Sequence, residues 1–180
     1  MQKKQKGRRR PEEDPMQKTT VIIPNYNGIK FIRGCLESLL AQDVPPSHYH
    51  IVVVDNGSTD GSRQLIEEAF PGVTLIALPG NTGFCHAVNV GIRAAKTPYV
   101  ILLNNDTKVH PRFVGALCGA LEARGEAFSV SARMRMWDRP ELMDDAGDRY
   151  CALGWAYARG KGQPASRYDA PAEIFSACGG

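Results

Sequence analysis

The sequence predicts an α/β fold built on a mainly parallel sheet, and three observations carry that reading. From Thr19 onward, short apolar runs alternate with amphipathic stretches, the rhythm of successive βαβ units with right-handed crossovers. The run Ile51-Val-Val-Val54 is apolar at every position, as in a strand covered on both faces. Clusters of Asn, Asp, Gly and Ser follow the apolar runs directly, and such residues make turns at strand ends.

The elements follow in order. Thr19–Pro24 reads as the first strand, closed by a proline. Ile29–Gln42 reads as a helix, because Ile32, Cys35, Leu36, Leu39 and Leu40 recur at the spacing of one helical face. His50–Asp55 is the second strand. Gly61–Phe70 is a short helix with Asp60 or Ser58 available as its N-cap. Val73–Leu78 is the third strand, and Gly83–Ala95 a helix with an apolar face of Phe84, Val88, Ile92 and Ala95. Pro98–Leu103 is the fourth strand. Pro111–Arg124 is a helix with proline in its first turn, where a missing N–H costs nothing. Ala127–Ala132 is expected to be a fifth strand. Residues 133–180 lose the rhythm and are read as long loops with short strands, the kind of segment that lines or covers a site.

Charge and composition exclude several classes. The net charge is +3, yet residues 1–18 hold seven basic and three acidic side chains, which leaves the other 162 residues at −1. The folded part therefore lacks the electrostatic footprint of a nucleic-acid binder. Residues 1–18 read as a basic, solvated, disordered tail, with anionic lipid or RNA as its alternative contact; the tail has no apolar segment of a secretory signal. The apolar runs Ile51–Val54 and Tyr99–Leu103 are far shorter than the roughly 20 residues of a membrane span. Five widely spaced cysteines without a C-x-x-C pair argue against structural zinc or a disulfide framework and fit free thiols in a reducing cytoplasm.

Three strand-end turns hold the chemistry: Pro24-Asn-Tyr-Asn-Gly28, Asp55-Asn-Gly-Ser-Thr-Asp-Gly-Ser62 and Asn104-Asn-Asp-Thr107. Each alone suits a structural turn; together they fall on the edge where parallel sheets bind ligands. The glycine-rich signatures of dinucleotide and P-loop sites are missing, as is the hydrolase elbow. A carboxylate at a strand end offers another way to hold a nucleotide. It can accept the imide N–H of uracil or thymine, or the N1–H of guanine, whereas cytosine has no such ring donor. A second carboxylate one strand away can hold Mg²⁺ or Mn²⁺, whose shell substrate phosphates complete, and the ion would neutralise a diphosphate leaving group.

Val21–Gly28, Val52–Ser62, the Asn81-Thr-Gly-Phe-x-x-Ala-x-Asn-x-Gly91 run and Leu102–Thr107 closely resemble, in order and spacing, the family 2 glycosyltransferases with a GT-A fold. The resemblance covers residues 19–180, taken as one GT-A domain incomplete at its C-terminus. Asp144–Gly147, Arg159-Gly160 and Glu173–Gly180 look like its rhamnosyltransferase-type branch. The resemblance implies that Asp55 reads the base, that Pro24 and Tyr26 shape the base pocket, and that Asn81, Gly83 and Asn89 lie near ribose and diphosphate, with Asn105 also on the donor nucleotide. It makes Asp106 the metal ligand, with Asn104 where the standard motif has its first Asp. It implies inversion at the anomeric carbon by single displacement, with a general base beyond residue 180. The donor would be a UDP-, dTDP- or GDP-sugar, dTDP-rhamnose for the branch, and the acceptor a glycan or lipid-linked glycan. The location would be cytoplasmic, with peripheral contact at the inner face of a membrane as its variant.

Two alternatives stand beside this reading. One is a chain that binds nucleotide-sugar without transferring it. The other, a sugar-phosphate nucleotidylyltransferase, needs a glycine- and arginine-containing loop after the first strand, and that loop is Asn25–Gly28 here. Outside the motifs, His86 is a phosphate contact or a surface residue. Trp137 and Trp155 stack on a sugar or plug the loops, and Arg159 and Lys161 close over a diphosphate or sit in a solvated turn.

Overall fold

A computed structural model describes residues 18–177. Four parallel strands form the central sheet: β1 (Thr19–Asn25), β2 (Tyr49–Asp55), β3 (Thr74–Ala77) and β4 (Tyr99–Leu102), in the order β3-β2-β1-β4. In register, Asn25 stands beside Asp55, and Asp55 beside Ala77. The carboxyl ends of the three strands are thereby level, and their loops meet at one edge.

The two faces of the sheet follow from the period-2 alternation of the strands. Val21 and Ile23 of β1, with Ile51 and Val53 of β2, face helices α1 (Ile32–Leu40), α2 (Ser62–Ala69) and α4 (Phe113–Glu122). Val52 and Val54 face helix α3 (Phe84–Ala94), packing on Ala87. Burial on both sides is what the unbroken Ile-Val-Val-Val run requires, each such side chain contributing about 1.5–3 kcal/mol relative to exposure.

Helix α3 is turned from the face that its sequence suggests. Ala87, Val88 and Gly91 are buried, whereas Phe84 and Ile92 are exposed. Gly91 explains the rotation: a Cβ there would collide with Ile22 of β1, so the helix lies against the sheet along its small residues. The pattern of large apolar side chains marks a different stripe from the one that allows this close approach.

The expected strand at 127–132 is not formed. Phe128 is 99% exposed, and among the described residues no strand pairs with the outer edge of β4. A β-prone segment without a neighbour has nowhere to place its backbone N–H and C=O groups. Short antiparallel pairs come instead from β5 (Met134–Arg135) with β6 (Met143–Asp145), and from β7 (Asp148–Tyr150) with β8 (Ala156–Ala158). The loop-rich reading of 133–177 holds. Residues 1–17 of the expected basic tail and the last three residues lie outside the described residues; Lys18, the last residue of that tail, is instead held in place, bonded through its backbone to His48 and Tyr99 and paired with Glu122.

Candidate active site

The loops after the four parallel strands are joined by side-chain amides and carboxylates. Asn25, the last residue of β1, is at their centre. Its Nδ2 donates toward Asp55 Oδ1 at 3.0 Å, Ser58 Oγ at 3.2 Å and Ser62 Oγ at 3.0 Å. Its Oδ1 accepts from Asn105 Nδ2 at 2.8 Å, across to the loop after β4. Asn25 and Asp55 are each 1% exposed. Asp55 Oδ2 also accepts the Ser58 N–H at 3.1 Å, so the buried carboxylate is held by N–H donors, and no ion pair reaches it among the described residues.

Asn56 performs the same service on the other side. Its Nδ2 donates to Asn81 Oδ1 and the Gly83 carbonyl, while its Oδ1 accepts from the N–H and hydroxyl of Thr82. The loop leading into α3 is thus tied to the end of β2. Gly57 permits this approach, because a Cβ there would press on the backbone of Gly80, and its φ of +80° suits glycine.

Loops one and two are joined again through Asn27 and Asp60. Asn27 has φ 52°, a left-handed conformation that Asn tolerates, and its side chain accepts the Thr59 N–H. Asp60 accepts the Ile29 N–H at 2.8 Å, together with the Ser62 hydroxyl and N–H. Burial pushes the Asp60 carboxyl up, but these donors outweigh it and hold it below the usual carboxylate value. Asp60 thus acts at the start of α2 although Gly61 occupies the cap position.

Above this network lies a pocket of about 280 Å³ lined by Pro24, Asn25, Tyr26, Asn56, Asn81, Phe84, Asn104 and Asn105. The structure therefore gathers five of the expected site residues (Pro24, Tyr26, Asn81, Asn104, Asn105) around one cavity. Asp55 is not itself a lining residue but is bonded to one, Asn25. Gly83 sits at the start of α3 with φ +86°, donating its N–H to Asn81 Oδ1. Asn89, farther along α3, is exposed and outside the lining. Asp106 is likewise outside the lining, exposed in the same loop as Asn104 and Asn105, and its side chain takes part in no ion pair or hydrogen bond among the described residues.

Asn25, Asn56 and Phe84 line the pocket without being among the site residues that the sequence motifs imply. The alternation of the strands held the signal. Asn25 continues the inward phase of Val21 and Ile23, and Asn56 continues that of Val52 and Val54. A polar residue in the inward phase at a strand end is one whose side chain must find partners inside.

The three later motifs also meet. The Asp145 carboxylate accepts the Gly147 N–H, Ala146 and Gly147 exchange backbone hydrogen bonds with Arg159, and a Cβ on Gly147 would collide with Ile174. Arg159 stacks on Tyr168 with 4.9 Å to the ring centre, and Lys161 pairs with Asp144 at 3.1 Å. Arg133 pairs with Asp169. None of the carboxylates at 144, 145, 148 or 169 lines the pocket. Trp137 and Trp155 are both exposed, so neither plugs the loops, and His86 is exposed on α3. Cys35, Cys85, Cys118 and Cys151 are free; Cys35 is buried, which raises its thiol to about 11.

Two observations bear on a metal. Among the described residues no group of three or more His, Cys, Asp and Glu side chains converges. One free carboxylate, Asp106, and one amide oxygen, Asn104, do stand on the loop at the pocket, an oxygen donor set that suits Mg²⁺ or Mn²⁺ when phosphate and water supply the rest.

A parallel sheet with level strand ends and a pocket on that edge define an α/β protein of the kind that takes its ligands at the carboxyl ends of the strands. The glycosyl transferase family 2 model matches residues 20–165, and the chain belongs to that family. A teichoic acid poly(glycerol phosphate) polymerase of Staphylococcus epidermidis is 35% identical over 98 residues, 52% of this chain and 13% of that protein. The succinoglycan biosynthesis protein ExoO of Rhizobium meliloti is 32% identical over 121 residues, 67% of this chain and 34% of its own length. Staphylococcus aureus TarS 1–349 in complex with UDP superposes with a TM-score of 0.56 at 25% identity, over 65% of this chain and 39% of that one. The mannosyltransferase PcManGT of Pyrobaculum calidifontis, in complex with GDP-Man and Mn²⁺, gives 0.55 at 25% identity, over 69% and 38%. The fold is thus the GT-A fold, and the chain spans well under half the length of each of these relatives. No helix among the described residues is long and apolar enough to cross a membrane.

Proposed function

We propose that the pocket at the sheet edge binds the nucleoside diphosphate of a nucleotide-sugar and presents its sugar for transfer to a glycan or lipid-linked acceptor. One observation carries the reading: Pro24, Tyr26, Asn81, Asn104 and Asn105 converge on a single cavity whose lining residue Asn25 is bonded to the buried Asp55 carboxylate. Asp55 still has lone-pair capacity beyond its bonds to Asn25 and Ser58, and a base N–H is the donor it would take. Tyr26 and Phe84 provide exposed aromatic surface on the lining for a planar base or a sugar.

Asp106 and Asn104 would hold Mg²⁺ or Mn²⁺, and the bound ion would supply charge neutralisation at the leaving diphosphate. Asn104 brings an oxygen without a charge, so the carboxylate of Asp106 supplies the protein's share of the electrostatic attraction. Displacement with inversion needs a general base near the acceptor, and no carboxylate of 133–177 lines the pocket to act as one. UDP, dTDP and GDP all carry the ring N–H that Asp55 would select. A dTDP-deoxysugar such as dTDP-rhamnose is the donor implied by the resemblance of Asp144–Gly147, Arg159-Gly160 and Glu173–Gly180 to the rhamnosyltransferase-type branch. Nucleotide-sugar binding without transfer is the second reading, favoured by a pocket that no carboxylate of 133–177 lines.

Thermal melting with UDP, dTDP, GDP and CDP, each with and without MnCl₂, tests the reading. A ligand at about 100 times its Kd adds about 2.7 kcal/mol to the folded state. At least one of the first three should raise the midpoint and CDP should not. Equal shifts with CDP, or none with any, would contradict it.

A further inference from the structure

We propose that Asn25 is a positioning residue that relays Asn105, on the loop after β4, to the Asp55 carboxylate, so that Asn105 acts on the nucleotide through Asn25. The inference rests on Asp55 as the base-reading group and deepens that reading. A primary amide has two chemically opposite ends, and in Asn25 both are engaged. Nδ2 faces Asp55 Oδ1 at 3.0 Å, with the hydroxyls of Ser58 and Ser62 beside it. Oδ1 faces Asn105 Nδ2 at 2.8 Å.

Flipping the amide would set an oxygen against the carboxylate and an NH₂ against the Asn105 NH₂. Both contacts would then repel; the Asp55 carboxylate, which only accepts, sets which end of Asn25 faces it, and the Asn105 NH₂ holds the other end in place. The effect matters because Asp55 is 1% exposed and has no cationic partner among the described residues. A buried charge held only by N–H groups is sensitive to each of them. Gly28 keeps the relay possible: a Cβ there would collide with both Asn105 Nδ2 and Asn25 Oδ1. Asn105 is thus held by Asn25, while the side chains of its neighbours Asn104 and Asp106 enter no hydrogen bond among the described residues. The loop that carries the proposed metal ligands and the residue that reads the base are thereby held by one amide.

The test is a double-mutant cycle on the full chain, with affinity for UDP, dTDP and GDP measured by calorimetry in EDTA so that no metal contributes. Asn105→Ala should weaken binding of the preferred nucleotide at least about threefold, the low end for residues in one hydrogen-bond network. In an Asp55→Asn background the same change should have no effect. An equal loss in both backgrounds would overturn the relay and make Asn105 a direct contact. Full affinity in Asp55→Asn alone would instead remove the base-reading role on which the relay rests.

A pH profile of Asn25→Asp separates positioning from simple packing. The new carboxyl would share a proton with Asp55, because like charges this close do not both ionise readily. Asp60 reaches the same network only through Ser62. Relative to the native chain at each pH, affinity should hold where the pair keeps one proton and fall at least about tenfold as pH rises and that proton leaves. A pH-independent ratio in a folded variant would overturn the relay; circular dichroism at each pH establishes folding.

Discussion

The backbone of Gly28 passes so close to the Asn105 side chain that no Cβ fits between them. That contact sets the depth of the first loop against the fourth, and with it the shape of the pocket they share. Gly28→Ala should therefore push Asn105 away from Asn25. Overpacking of this kind costs about 1–3 kcal/mol, read as a lower denaturant midpoint, with nucleotide affinity reduced in step. An unchanged midpoint would show that the two loops adjust independently.

Asn56 holds the loop at 80–83 through hydrogen bonds to Asn81, Thr82 and Gly83. Asn56→Ala leaves those groups without their partner at a site only 4% exposed. The expected loss is about 1–3 kcal/mol of stability. Faster hydrogen exchange at the Thr82 and Gly83 amides would locate it. Native exchange at those amides would contradict the assignment.

Asp106 has the opposite character, exposed and without an ion pair among the described residues. Asp106→Ala should leave stability within about 0.5 kcal/mol. It should abolish any gain in nucleotide affinity that Mn²⁺ confers over EDTA. A gain that survives would place the ion on other residues.

Asp145 provides a pH signature outside the pocket. Burial pushes its carboxyl up, opposed by the Gly147 N–H and assisted by the charge of Asp148. The folded state thus prefers the protonated form. Its contribution is fully present below the ordinary carboxylate value and is lost as pH rises through the raised one. Asp145→Asn keeps an oxygen for Gly147 and removes the buried charge. Urea midpoints at neutral pH should be at or above those of the native chain, and the two should converge in acid. A variant clearly weaker at neutral pH would mean that the charge itself is needed.

Much of this arrangement was legible in the residues. The strands were placed by their apolar runs, and the pocket rim by the polar turns that follow them, because a parallel sheet brings those ends to one side. What escaped was the inward role of Asn25 and Asn56. Turn chemistry and burial make opposite demands on the same residue type, and only the strand phase distinguishes them. The stripe of α3 escaped because Gly91, which has no side chain to register in a hydrophobic pattern, decides how closely the helix approaches Ile22. The segment 127–132 has strand-like composition, yet pairing depends on an available neighbour that local composition does not encode.

The central claim is that the pocket over Asp55 is a nucleotide site. Calorimetric titration of UDP, dTDP and GDP into the native chain, first in EDTA and then with Mn²⁺, tests it most directly. The account predicts saturable one-to-one binding of at least one of the three, tightened by Mn²⁺ and measurably weakened in Asp55→Asn. Absence of binding by a chain shown to be folded, or binding that Asp55→Asn leaves intact, would contradict it.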